Sequence, residues 1–270
     1  MPTWADLLPR HLPNLMEHFG PQGRHFRRLV DRLDGRRAMV VERFEEGEVQ
    51  LRTTLYELIV HAECGDEAFA VPFLRYVDET ARDLATLVPS DLMPAARQQV
   101  RGLFEDFADD DSHLREKLGE LFANLYVLRT ADVTAAGFEV PAVPGGSKTF
   151  DLAVRASTGA TFPIEILNVF LDDERMTDPQ GLHAFLDGRV QRKVREKLGL
   201  TLPATDLPFP LLLVVWFKRV ETMARFADAV VSRNRQFELP PCALMQLADP
   251  AGCKCWDFGS ISSLVRRYPT

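Results

Sequence analysis

After a helix expected over roughly His113 to Arg129 the spacing of apolar residues changes period, and that change limits the fold more than any other feature of the chain. Upstream, Leu114, Leu118, Leu121, Phe122 and Leu125 recur at helical intervals behind Ser112, a suitable N-cap. Downstream, three short runs carry strand character: residues 137–143, 149–155 (TFDLAVR) and 162–170 (FPIEILNVF). Pro144-Gly145-Gly146-Ser147 and Ser157-Thr158-Gly159-Ala160 separate them, and both read as turns. The third run is apolar enough to be a central strand. A helix over 181–198 follows, with a basic second half (RVQRKVREK), then a buried strand over 211–217 (LLLVVWF). A helix over 221–235 and a hairpin over 242–247 and 253–258, closing around Asp249-Pro250-Ala251-Gly252, complete the pattern. Helix, three strands, helix, strand, helix and hairpin make an α/β fold: a mixed sheet flanked by helices.

The preceding region, 1–111, reads as mostly helical. Leu7, Leu8, Leu12 and Leu15 keep helical spacing, as do Phe73, Tyr76, Val77, Ala81 and Leu84. Gly20, Pro21 and Gly23 punctuate it early, and Pro89 and Pro94 punctuate it late. The acidic break at Asp109, Asp110 and Asp111 marks the expected boundary between this region and an α/β domain over 112–270.

Charge divides along the same line. Residues 1–110 hold 20 Asp and Glu against 13 Lys and Arg, whereas 111–270 hold 19 of each. The net charge of -7 therefore belongs to the helical region. This balance argues against a broad phosphate-binding surface, yet allows a small basic cleft. No apolar run approaches the roughly 20 residues of a membrane helix, and the start, MPTWADLLPRHLPNL, lacks the pattern of a secretory signal. The expectation is a cytoplasmic protein with no membrane partner. Cys64, Cys242, Cys253 and Cys255 include one close pair and no second, so they read as reduced thiols rather than a zinc site.

The chemistry concentrates in the strand pair. Asp151 lies in the second strand and Glu165 in the third, across a short turn. In register, such residues come within about 5 Å of each other. Phe150, Leu152, Val154, Ile164 and Ile166 surround them, and carboxylates are costly in such company without a partner. Two carboxylates fixed on strands make a hard-oxygen site suited to Mg²⁺ or Mn²⁺. Lysine is scarce, so any cation near them is drawn from Lys117, Lys148, Lys193, Lys197, Lys218 and Lys254 or from an arginine. The helical run from Arg189 to Arg195 reads first as a solvated face, and His183 reads as a packing or surface histidine.

This order of elements, with an Asp on one hairpin strand and a Glu on the next, resembles the PD-(D/E)XK (restriction-endonuclease-like) nuclease superfamily over roughly residues 112–258. The resemblance implies a restriction-endonuclease-like mixed sheet and a Mg²⁺-dependent hydrolase of phosphodiester bonds, an endo- or exodeoxyribonuclease acting on DNA. It makes Asp151 and Glu165 the metal ligands and catalytic acids. A further, helical acid falls near Glu120 or Glu116, although Glu120 lies about 140° from its helix's apolar stripe and reads as solvated. Two positions depart from the family's pattern. Leu167 stands where the Glu-x-Lys lysine belongs, and Phe150 stands where a Pro precedes the first Asp. Lys193 on the following helix is the chosen substitute lysine, with Lys197 and Lys148 as the other candidates. Arg189, Lys193 and Lys197 are the expected contacts to nucleic-acid phosphates. The alternative is a catalytically inactive nuclease fold that binds protein or nucleic acid, its protein partner meeting the acidic N-terminal helices.

Overall fold

The computed structural model describes residues 2–45, 54–64, 70–105, 112–130, 132–142, 145–171, 179–199, 209–217, 221–226, 242–247 and 254–259. The described residues through Leu125 cluster as one unit and those from Tyr126 onward as a second. The division falls inside one helix rather than at the acidic break.

The first unit is helical: α1 (Trp4–His11), α2 (Pro13–His18), α3 (Arg24–Glu45), α4 (Leu55–Cys64), α5 (Ala70–Leu87), α6 (Met93–Val100), α7 (Gly102–Glu105) and the larger part of α8 (Ser112–Thr130). Buried polar groups fix where its short helices start and stop. Asp78 of α5, 6% exposed, accepts from the Leu15 backbone N–H at 2.9 Å, a donor that α2 leaves open at its start, and from the Asn14 side chain through Nδ2 at 2.6 Å. Arg97 Nε donates to the His18 carbonyl at 2.6 Å and closes the other end of α2. Toward the end of this unit the described residues form two short helices, α6 and α7, with Arg101 between them.

The second unit is a mixed sheet: β1 (Val133–Pro141), β2 (Thr149–Ala156), β3 (Thr161–Leu171), β4 (Leu211–Phe217), β5 (Cys242–Leu247) and β6 (Lys254–Gly259), lying side by side in chain order. β1, β2 and β3 form an antiparallel meander. α9 (Pro179–Leu198) then carries the chain back so that β4 runs parallel to β3, β5 runs parallel to β4, and β6 turns back antiparallel. Every residue of β4 is buried, as befits an apolar strand with parallel neighbours on both sides. Residues 221–226 are helical; the rest of the helix expected over 221–235 lies outside the described residues.

α9 covers one face of this sheet. Leu182, Leu186, Val190 and Val194 fall at steps of four and pack on Leu167, Val169 and Leu171 of β3 and Leu211, Leu213, Val215 and Phe217 of β4. Phe150 joins the same cluster and meets Phe209 at 4.8 Å between ring centroids. Strict alternation would turn Phe150 away from Leu167. The β2–β3 ladder runs from Arg155↔Thr161 to Leu152↔Ile164, so Phe150 lies beyond it and is free to turn inward. Because Leu186 is wholly buried on the sheet-facing side of α9, Leu186→Ala should cost about 2–5 kcal/mol. A urea titration read by circular dichroism checks this.

Candidate active site

β3 exchanges one neighbour for another at Glu165. Its residues 161–164 pair with β2, whereas residues from Glu165 onward pair with β4, starting at Glu165↔Leu211. Continuing the β2–β3 register by one step places Asp151 opposite Glu165. The ladder does not continue there. Instead the Asp151 carboxylate takes the next backbone donor itself, accepting from the Ile166 N–H at 2.7 Å. A side chain thus replaces the missing strand and holds β2 to β3 where they part.

Glu165 is completely buried. Its Oε1 lies 2.9 Å from Lys193 Nζ and 3.0 Å from Lys197 Nζ. Neither oxygen accepts a hydrogen bond of good geometry among the described residues, so the lysines meet Oε1 as ion pairs and Oε2 is left unsatisfied. The two lysines are one helical turn apart on α9 and flank Val194, whose side chain is buried in the core. Packing of the α9 apolar row on β3 therefore delivers both ammoniums to the same oxygen. Lys197 Nζ also donates to the Thr149 carbonyl at the start of β2.

Burial pushes the Glu165 carboxyl up to about 7, with repulsion from Asp151 adding to the rise and Lys193 and Lys197 opposing it. Asp151, Glu165, Lys193 and Lys197 sum to no net charge when all are ionised. Removal of either ammonium therefore leaves an uncompensated buried charge.

The structure thus brings together Asp151, Glu165, Lys193 and Lys197. Leu167, at the position where a Glu-x-Lys lysine would stand, is 4% exposed and packs under α9. Lys148 is exposed in the turn before β2. Arg189, expected to contact phosphate, donates through Nη2 to the Asn168 carbonyl of β3 at 3.3 Å, which gives it a role inside the fold. Asn168 in turn accepts from Trp216 Nε1 at 3.0 Å. The side chain of His183 lies outside the described residues.

Glu120 is a correction. The sequence places it away from the apolar stripe and in solvent, but it is 7% exposed, with Lys117 Nζ 3.0 and 3.2 Å from its two oxygens. From Leu118 to Leu125 every residue of α8 is buried, so the stripe does not mark the only covered face. Glu120 belongs to the first unit, whereas Asp151 and Glu165 belong to the second.

Among the described residues no three His, Cys, Asp or Glu side chains converge as a metal cluster. Two carboxylates still suit Mg²⁺, which keeps several waters and commonly takes only one or two from protein. Glu165 Oε2, buried and without a hydrogen bond, is the atom such an ion would satisfy.

No family model matches the chain, and neither the curated proteins nor the solved structures contain a match. Among the described residues no helix is long and apolar enough to cross a membrane.

The raised Glu165 pKa has a definite sign for stability. The folded state holds this proton more tightly than the unfolded chain does. Stability from this group is full below the ordinary carboxyl value of 4.5 and is lost as pH rises through about 7. Glu165→Gln cannot lose it. Its stability relative to the native chain should therefore improve steadily between about pH 5 and about pH 8, as read from urea midpoints.

Proposed function

We propose that the second unit is a PD-(D/E)XK-type nuclease domain that hydrolyses phosphodiester bonds in DNA with the help of Mg²⁺ or Mn²⁺. The observation that carries this reading is the buried Glu165 carboxylate, set beside Asp151 and met by two lysines from the helix that follows. The order α8, β1, β2, β3, α9, β4, with an antiparallel meander and a parallel fourth strand, supports a restriction-endonuclease-like fold.

Asp151 and Glu165 would hold the ion, which supplies Lewis acidity and a more acidic bound water. The other steps fall to the chain itself. Lys193 takes the place that Leu167 leaves empty. Its ammonium neutralises charge that develops on the phosphate as water adds to phosphorus and the bond to the leaving sugar oxygen breaks. Leu167 of β3 and Val190 and Val194 of α9 form an apolar layer beside the site, so its charges interact in a medium of low polarity. The acidic first unit makes a poor surface for a polyanion, so nucleic acid is read at this small cluster rather than over the whole chain.

One observation favours a second reading, a degenerate nuclease fold kept for binding. Glu165 has no exposed surface, and its charge is already balanced by two ammoniums. In that case the acidic N-terminal helices would meet a protein partner.

The test is a cleavage assay on linear, circular and single-stranded DNA with Mg²⁺ or Mn²⁺. Native protein should cut, and the Asp151→Ala/Glu165→Ala double variant should not. Lys193→Met should fall by about 100-fold or more, the effect of removing one preorganised charge stabiliser. Equal cleavage by native protein and the double variant would remove the site assignment. No cleavage by folded native protein would favour the binding reading.

A further inference from the structure

Two lysines meet Glu165, and the more enclosed of them also reaches β2. Lys193 has 19% of its side chain exposed and lies 2.9 Å from Glu165 Oε1. Lys197 is more enclosed, at 12%, and reaches two strands at once: Glu165 Oε1 of β3 at 3.0 Å and the Thr149 carbonyl of β2. Those contacts fall where the β2–β3 ladder has ended at Leu152↔Ile164. Beyond that pair, β2 and β3 are joined by the Asp151 carboxylate on the Ile166 N–H and by the Lys197 ammonium between Thr149 and Glu165.

We propose that Lys197 is a positioning residue that clamps β2 to β3 beyond their ladder and so keeps Asp151 facing Glu165, while Lys193 is the ammonium that meets an anionic substrate. The clamp follows from geometry alone; the role of Lys193 rests on the nuclease reading. A lysine suits the clamp because one ammonium has three donors and can serve a carbonyl and a carboxylate together. Its place near the end of α9 also suits a cation, since the helix dipole is negative there.

The clamp predicts an effect opposite in sign to simple electrostatics. Deleting an ammonium beside two carboxylates should strengthen their hold on a cation. Lys193→Met should do so and tighten Mn²⁺ binding. Lys197→Met should weaken Mn²⁺ binding, because the two carboxylates lose their fixed separation.

Two measurements on the full chain test this. In metal-free protein, amide exchange at Ile166 reports the Asp151 bond directly. It should quicken by about ten-fold or more in Lys197→Met, as local opening becomes easier. It should stay at the native rate in Lys193→Met, and Lys197→Arg should restore protection. Mn²⁺ affinity, read from the spin-resonance signal of the free ion, should move in opposite directions in the two methionine variants. Native exchange at Ile166 in Lys197→Met would overturn the clamp, as would equal tightening of Mn²⁺ in both variants. Where Lys197→Met does not fold, Lys197→Gln is read in its place with the same expectations. Absence of Mn²⁺ binding by the native chain would remove the nuclease reading, and Ile166 exchange would still decide the clamp.

Discussion

A single buried carboxylate governs the second unit. Glu165 sits at the point where β3 passes from β2 to β4, with none of its surface exposed. A charge in that position is tolerated only with partners close at hand. The partners come from α9, and they arrive because the apolar row Leu182, Leu186, Val190 and Val194 fixes how that helix lies on the sheet. Helix packing, strand divergence and site chemistry are therefore one arrangement. Turning α9 away from that row would withdraw both ammoniums, and closing the β2–β3 ladder would remove the need for Asp151 to hold Ile166.

That dependence explains how a lysine can be absent from the expected strand position without leaving the carboxylates uncompensated. On β3, Leu167 points under α9, where an apolar side chain adds to the core and an ammonium would be costly. Placing the cations on α9 instead lets β3 contribute Leu167, Val169 and Leu171 to the core without interruption. Each lysine can lay its methylene stem along the apolar layer and bring its charged end to the edge. Arg189 continues the same side of α9 one turn earlier and ties to the Asn168 carbonyl, so cations line this flank of the helix over three successive turns.

Much of this was legible in the residues. The change of hydrophobic period after α8 gives the order of strands and helices, and the two Gly-containing turns give the antiparallel meander. The alternation of β2 and β3 brings Asp151 and Glu165 to the same end of one hairpin. The scarcity of lysine narrows the cation to a few positions, and Lys193 among them lies at Glu165. Other features were not legible, for physical reasons. Arg189 looks like a solvated phosphate contact because sequence cannot show that the β2 side of β3 leaves a carbonyl to be satisfied. Glu120 looks solvated because a helical stripe identifies one buried face, whereas α8 is buried on every face over 118–125. The double duty of Lys197 depends on β2 ending its pairing at Leu152, a detail of register that composition does not encode.

The central claim is that Asp151 and Glu165 form a cation site whose charge is held in check by α9. Calorimetric titration of the metal-free protein with Mn²⁺ near neutral pH, repeated in buffers of different ionisation enthalpy, tests it most directly. A carboxyl raised to about 7 by burial is partly protonated there, so binding should release a proton. Heat of binding with proton release in the native chain, and no proton release in Glu165→Gln, is the expected result. Binding of undiminished strength in the Asp151→Ala/Glu165→Ala variant, or no binding to the native chain, would contradict it.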